Sequence, residues 1–205
     1  MGRRRADLAF MPGRVVFPGG RVDPADGRVP AHDDLPTDTK AVLHANLRGA
    51  RTDRRVRAIA LAAIRETFEE AGVLIGRPHA GGPHPMPKGT WSDFHHHGLT
   101  PALGKLRLAA RAITPPGQVR RYDTWFFIAN AAETPHCAPE TRAIDGELEA
   151  VDWVSLSSRA NLSLAGITNW VLDAVTKQLN GDGYNTQPAI PHFQMRRGQR
   201  VVSWL

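Results

Sequence analysis

Apolar side chains recur at Leu61, Ile64, Phe68 and Ala71, three and four residues apart, with arginine and glutamate set between them. At about 100° per residue this spacing predicts a helix that buries one stripe. Thr52-Asp53 are suitable caps at its start, and Gly72 stands where a helix commonly stops in a left-handed conformation. Glu66, Glu69 and Glu70 fall together on the opposite face, being i,i+3 and i,i+4 neighbours.

Elsewhere the pattern is more broken. Arg14 to Phe17 reads as a strand delivering a Pro-Gly-Gly turn, and Arg120 to Ala129, aromatic-rich between Pro116-Gly117 and Asn130, is the clearest strand of all. Val151 to Val154 is predicted as another. Ala160 to Leu179 is helical, with Ile167, Val171 and Val175 four apart. His192 to Met195 and Arg200 to Leu205 form a hairpin turning at Arg197-Gly198-Gln199. Thr39 to Gly49 and Trp91 to Gly98 suit short helices, 74 to 90 an irregular loop, and Leu103 to Ala109 a short segment of open type. Strands before, between and after amphipathic helices predict an α/β fold. At 205 residues and 41% hydrophobic, the chain suits one domain with decorations.

Charge and chemistry narrow the function. The formal net charge is +6, carried almost wholly by arginine, since Lys40, Lys88, Lys105 and Lys177 are the only lysines. A basic field favours a polyanion, yet the arginines are scattered and no groove-reading motif accompanies them, so a phosphate-rich small molecule is preferred over nucleic acid. The lone Cys137 excludes an internal disulfide and fits a reducing compartment, here the cytoplasm. No apolar run is long enough to span a bilayer. His95-His96-His97 point in different directions on a helix and read as a solvated helix end, not as metal ligands.

The glutamate face has two readings. Like charges at this spacing repel by a few tenths of a kcal/mol per pair, so the face is either simply solvated or holds a hard cation. Upstream lies Phe17-Pro18-Gly19-Gly20-Arg21-Val22-Asp23-Pro24-Ala25-Asp26. With Arg65-Glu66-Thr67-Phe68-Glu69-Glu70-Ala71-Gly72-Val73 it resembles the signature of the Nudix hydrolases: a glycine, five residues, an acid, a spacer, then Arg-Glu-apolar-x-Glu-Glu-x-Gly-apolar. Gly20 matches the motif glycine, Asp26 replaces a glutamate, and Thr67 replaces an aliphatic residue. The family spacer of seven residues is here thirty-eight, the positions between 26 and 65. Residues 27–52 are therefore an insertion, polar and turn-rich, expected to loop out. A subgroup with such an insertion includes the vertebrate peroxisomal coenzyme A diphosphatase and bacterial relatives. The chain resembles it again at Phe10-Met11-Pro12-Gly13, at Thr114-Pro115-Pro116 with Arg120 to Phe127, and at Asp145-Gly146-Glu147 leading to Trp153, roughly residues 8 to 175 in all.

The resemblance implies a Nudix-type α/β/α sandwich with a mixed sheet over residues 1–205. It implies Mg²⁺ (or Mn²⁺) held by Glu66, Glu69, Glu70 and the carbonyl of Gly20, and hydrolysis of a nucleoside diphosphate linked to another moiety. Coenzyme A or an acyl derivative is the first expectation; ADP-ribose, NADH and nucleotide sugars are alternatives, and a ligand-sensing module that does not cut is a third reading. Arg65 would orient the glutamates, a bidentate task lysine cannot reproduce. The general base in the family is either a motif glutamate or an acid on a later loop; among the latter Glu147 is the candidate, ahead of Glu149 and Asp145, because it lies in the turn before the strand at Trp153. Arg120, Arg121 and Asp123 are candidate substrate contacts. The family also places one or two strands before the Pro-Gly-Gly turn, and only Met1 to Phe17 precede it. The expectation is a shortened start, with a sheet edge near Val15 and Phe17 covered by a homodimer partner or by Val201 to Leu205.

Overall fold

A computed structural model describes the chain except for residues 80–84, 119, 134–145 and 182–186. Its elements run β1 (Gly2–Arg4), β2 (Val15–Val16), α1 (Thr37–Asn46), α2 (Asp53–Ala71), β3 (Gly76–Pro78), α3 (Thr90–His96), β4 (Leu99–Pro101), β5 (Arg107–Ile113), β6 (Asp123–Ile128), β7 (Leu148–Glu149), α4 (Gly166–Asn180), β8 (Pro191–Arg196) and β9 (Gln199–Trp204). A 3-10 turn at Asp26–Arg28 joins the Pro-Gly-Gly loop to the segment that leads into α1.

The largest sheet is mixed, in the order β6-β5-β8-β9, with β5 and β8 parallel and the other pairs antiparallel. Helix α2 packs on its β6 side and α4 on β5, and Trp170 of α4 meets Phe193 of β8. This is the helix-sheet-helix layering expected. A second sheet, β2-β1-β7, carries the chain into the Pro-Gly-Gly loop. The β8–β9 hairpin turns on Arg197 and Gly198, both at positive φ (49° and 77°), the backbone of a tight two-residue hairpin.

Helix α2 is built as its pattern predicts. Thr52 caps it by accepting from Arg55 N–H, and Gly72 closes it at φ 66°. Leu61, Ile64, Phe68 and Ala71 are buried.

Five expectations need correction. Residues 27–52 do not loop out. Val29, Leu35, Leu43 and Leu47 lie in the same buried cluster as Leu61, Ile64 and Phe68, so the segment completes the core. Within 74–90, Gly76–Pro78 forms a strand with Leu99–Pro101. Prolines at both strand ends and no alternation hid that pair. Val151 to Val154 is not a strand. Ala150 turns the chain at φ 51°, leaving only Leu148–Glu149 in the ladder. At the front, Met1 to Arg4 reads as the interior of a strand and Gly2–Arg4 is one, flanked by Val15–Val16 and Leu148–Glu149, but the free side of Val15 bridges to Leu164 and not to Val201–Leu205, since Gln199–Trp204 pairs with β8. Lastly, of the three histidines expected to be solvated, His95 is half-buried against His79, with ring centroids 4.0 Å apart, whereas His96 and His97 are exposed as expected, His97 lying edge-on to Phe68. No described helix is long and apolar enough to cross a membrane.

Candidate active site

The last two turns of α2 bring Arg65, Glu66, Glu69 and Glu70 beneath the Pro-Gly-Gly loop. The fit is close. A Cβ placed on Gly20 would lie 2.5 Å from Cδ and Oε2 of Glu66, so only glycine allows this carboxylate to rest against the loop. The adjacent Gly19 N–H donates to Glu70 Oε2 at 2.7 Å. Glu70 is 2% exposed and Glu66 9%, burial that glutamates rarely reach without a purpose.

Arg65 organises the rest. Its Nε donates to Asp26 Oδ1 at 2.9 Å and Nη1 to Glu69 Oε2 at 2.7 Å, while Nη1 also stands 2.8 Å from Glu66 Oε1. A further bond runs from Nη2 to the Arg21 carbonyl at 2.7 Å. Burial works against its charge, but the bond to Asp26 and the Glu66, Asp26 and Glu69 charges outweigh that, holding the guanidinium above its ordinary range. Asp26 is wholly buried. Besides Arg65 it accepts from the Asp23 N–H and from Trp91 Nε1–H, each at 2.8 Å. Glu69 Oε1 accepts from the Thr90 hydroxyl.

Donor chemistry suits a hard cation. Three carboxylates and the Gly20 carbonyl offer oxygen only, the set that Mg²⁺ and Mn²⁺ accept. Among the described residues no three His, Cys, Asp or Glu side chains close into a cage unaided; the glutamates are held apart by Arg65, Thr90 and the Gly19 amide. A substrate's phosphate oxygens would complete such a site, as Mg²⁺ is usually bound through few carboxylates plus phosphate.

These groups open on a cleft of about 1470 Å³ that runs along α2 between the two sheets. Glu147 lines it, 3.2 Å from Arg4 Nη2 across a half-exposed ion pair. Arg120 lines it also, whereas Arg121 does not and donates instead to the Thr114 carbonyl at 3.2 Å. Asp123 is on the cleft wall, but Arg111 Nε and Nη2 hold both its oxygens at 2.8 and 2.7 Å. Glu149 is exposed on β7 and absent from the lining, and Asp145 lies outside the described residues. Thr90 and Trp91 cannot be picked out from the sequence because their partners are 21 and 65 positions away.

No family model matches the chain. It is 27% identical to acyl-coenzyme A diphosphatase NUDT19 of Homo sapiens, over 70% of this chain and 50% of that one. With the Gallus gallus protein of the same name identity is 29%, over 75% and 52%. A crystal structure of a NUDIX hydrolase from Alicyclobacillus acidocaldarius superposes with a TM-score of 0.56 at 29% identity, covering 84% of this chain and 80% of that one. In sequence and in fold the chain is similar to the Nudix hydrolases. The chain spans about half the length of the curated relatives it matches. Its glutamate helix and Pro-Gly-Gly loop are in contact despite the thirty-eight residues that separate Asp26 from Arg65.

Proposed function

We propose that this chain hydrolyses the phosphoanhydride of a nucleoside diphosphate linked to a second moiety, with coenzyme A or an acyl-coenzyme A as its substrate class. The observation that carries this reading is the seating of Glu66 and Glu70 against Gly20 and Gly19, at one end of a cleft large enough for a nucleotide and a further group. The names of the NUDT19 relatives support the choice of substrate.

Glu66, Glu69, Glu70 and the Gly20 carbonyl would hold one or more divalent cations. When bound, such a cation supplies charge neutralisation at the diphosphate oxygens and acidification of the attacking water. Arg65 keeps three carboxylates in register, so that little reorganisation is left for the moment of reaction. Glu147, on the cleft wall, takes the proton from the attacking water. The water oxygen bonds to one phosphorus, and the bridging oxygen leaves with the other. Arg120 offers a cation to the substrate's anionic oxygens. A reducing compartment such as the cytoplasm suits the single cysteine.

Incubation with coenzyme A, an acyl-coenzyme A, ADP-ribose, NADH and a nucleotide sugar, with and without Mg²⁺ or Mn²⁺, tests the reading. Metal-dependent release of adenosine 3′,5′-bisphosphate and 4′-phosphopantetheine from coenzyme A is expected. Preferential cleavage of ADP-ribose or NADH would move the substrate class, and no cleavage of any with either ion would defeat the reading.

A further inference from the structure

Five side chains from three separate parts of the chain form a closed circuit. The Trp91 indole donates to Asp26 Oδ1, and Arg65 Nε donates to the same oxygen. Arg65 Nη1 donates to Glu69 Oε2, and the Thr90 hydroxyl donates to Glu69 Oε1. Thr90 and Trp91 are adjacent at the start of α3, which closes the ring. Trp91 is 2% exposed and packs edge-on to Phe94, itself edge-on to Phe68 of α2, so the α3 end of the circuit is fixed by the core. Glu69 therefore differs from its neighbours. Glu66 and Glu70 rest against the glycine loop, while Glu69 has one oxygen on Arg65 and the other on a hydroxyl supplied from outside the motif.

We propose that Thr90 is a positioning residue for metal binding. Its hydroxyl fixes the rotamer of Glu69, and Trp91, through Asp26, fixes the guanidinium that holds the other oxygen. A glutamate side chain has three rotatable torsions, and a cation captures it most tightly when these are already set. Partners of this outer kind change metal affinity about 10- to 100-fold when removed. The inference rests on the metal-site reading above and adds that α3 belongs to the machinery of this chain. Helix α3 then holds one metal ligand in place.

Direct Mn²⁺ titration by electron paramagnetic resonance, with wild type, Thr90→Val and Thr90→Ser, is the test. Valine keeps the shape without the hydroxyl, and serine keeps the hydroxyl without the methyl group. The expected result is an apparent Mn²⁺ dissociation constant raised about 10-fold or more in Thr90→Val, and within about twofold of wild type in Thr90→Ser, with melting temperatures alike in all three. Trp91→Phe, which keeps the packing but loses the N–H, should weaken Mn²⁺ in the same direction. Wild-type affinity in a folded Thr90→Val would overturn the proposal, as would equal weakening in Thr90→Ser. Because binding is read without substrate, absence of diphosphate cleavage alongside the expected Mn²⁺ series would defeat the substrate reading and leave this one standing. A wild type that binds no Mn²⁺ would overturn both.

Discussion

Replacing Glu70 by glutamine keeps an oxygen for the Gly19 N–H and removes one negative charge from a site that is 2% exposed. Turnover should fall by several orders of magnitude, because the lost charge is one that a divalent cation needs. Stability should hold or rise slightly, since each relieved like-charge pair is worth a few tenths of a kcal/mol. Steady-state kinetics beside a melting curve would check both, and near-normal activity would sink the metal assignment. Gly20→Ala probes the same contact from the loop. Its Cβ would collide with the end of the Glu66 side chain, which can swing away, so the fold should survive while the site does not. We expect a melting temperature within a few degrees of wild type and loss of most activity. A fully active Gly20→Ala enzyme would show that Glu66 need not touch the loop.

At the scale of elements, the segment between the two halves of the motif carries more weight than its composition suggests. Val29, Leu35, Leu43 and Leu47 are each at most 5% exposed. At about 1.5–3 kcal/mol for each buried side chain, their removal would cost on the order of 10 kcal/mol, comparable with the whole stability of a typical domain. Replacing 27–52 with a Gly-Ser linker should therefore leave the chain unfolded by circular dichroism, and Leu43→Ala alone should cost about 2–5 kcal/mol. A shortened protein that folds and melts cooperatively would refute this. Helix α2 is legible in the sequence because its apolar period, its Thr52 cap and its Gly72 stop are all local. The insertion misleads because Leu35, Leu43 and Leu47 are spaced among polar and turn residues, and their partners on α2 and around Leu103 cannot be seen from sequence neighbours. Strand β5 is obscured for a related reason. Arg107 and Arg111 interrupt its apolar run, and Arg111 is tolerated there because Asp123 on the next strand accepts from its Nε and Nη2 while the Asn46 carbonyl accepts from its Nη1.

Across the whole molecule, the motif residues and their contact with the Pro-Gly-Gly loop could be foreseen, whereas the outer supports from α3 could not. A histidine away from the motif gives the chain a pH dependence of its own. His192 on β8 is buried beside Arg111 on the neighbouring strand, and its Nε2 has no hydrogen-bond partner among the described residues. Burial, then the Arg111, Arg48 and Arg196 charges, hold its imidazole below the usual range, with Asp123 opposing them; Ser203 Oγ faces its Nδ1 at 3.5 Å. The folded protein thus keeps His192 neutral at a pH where the unfolded chain protonates it. Protons bind preferentially to the unfolded state, so stability rises with pH through this window. The contribution is complete above about pH 6.5, the ordinary value of histidine, and is lost as pH falls below it. His192→Gln, neutral at every pH, should flatten the fall in melting temperature between about pH 7.5 and 5.5, a range in which ordinary carboxylates scarcely titrate. An equally steep fall in the variant would assign the acid sensitivity to another group.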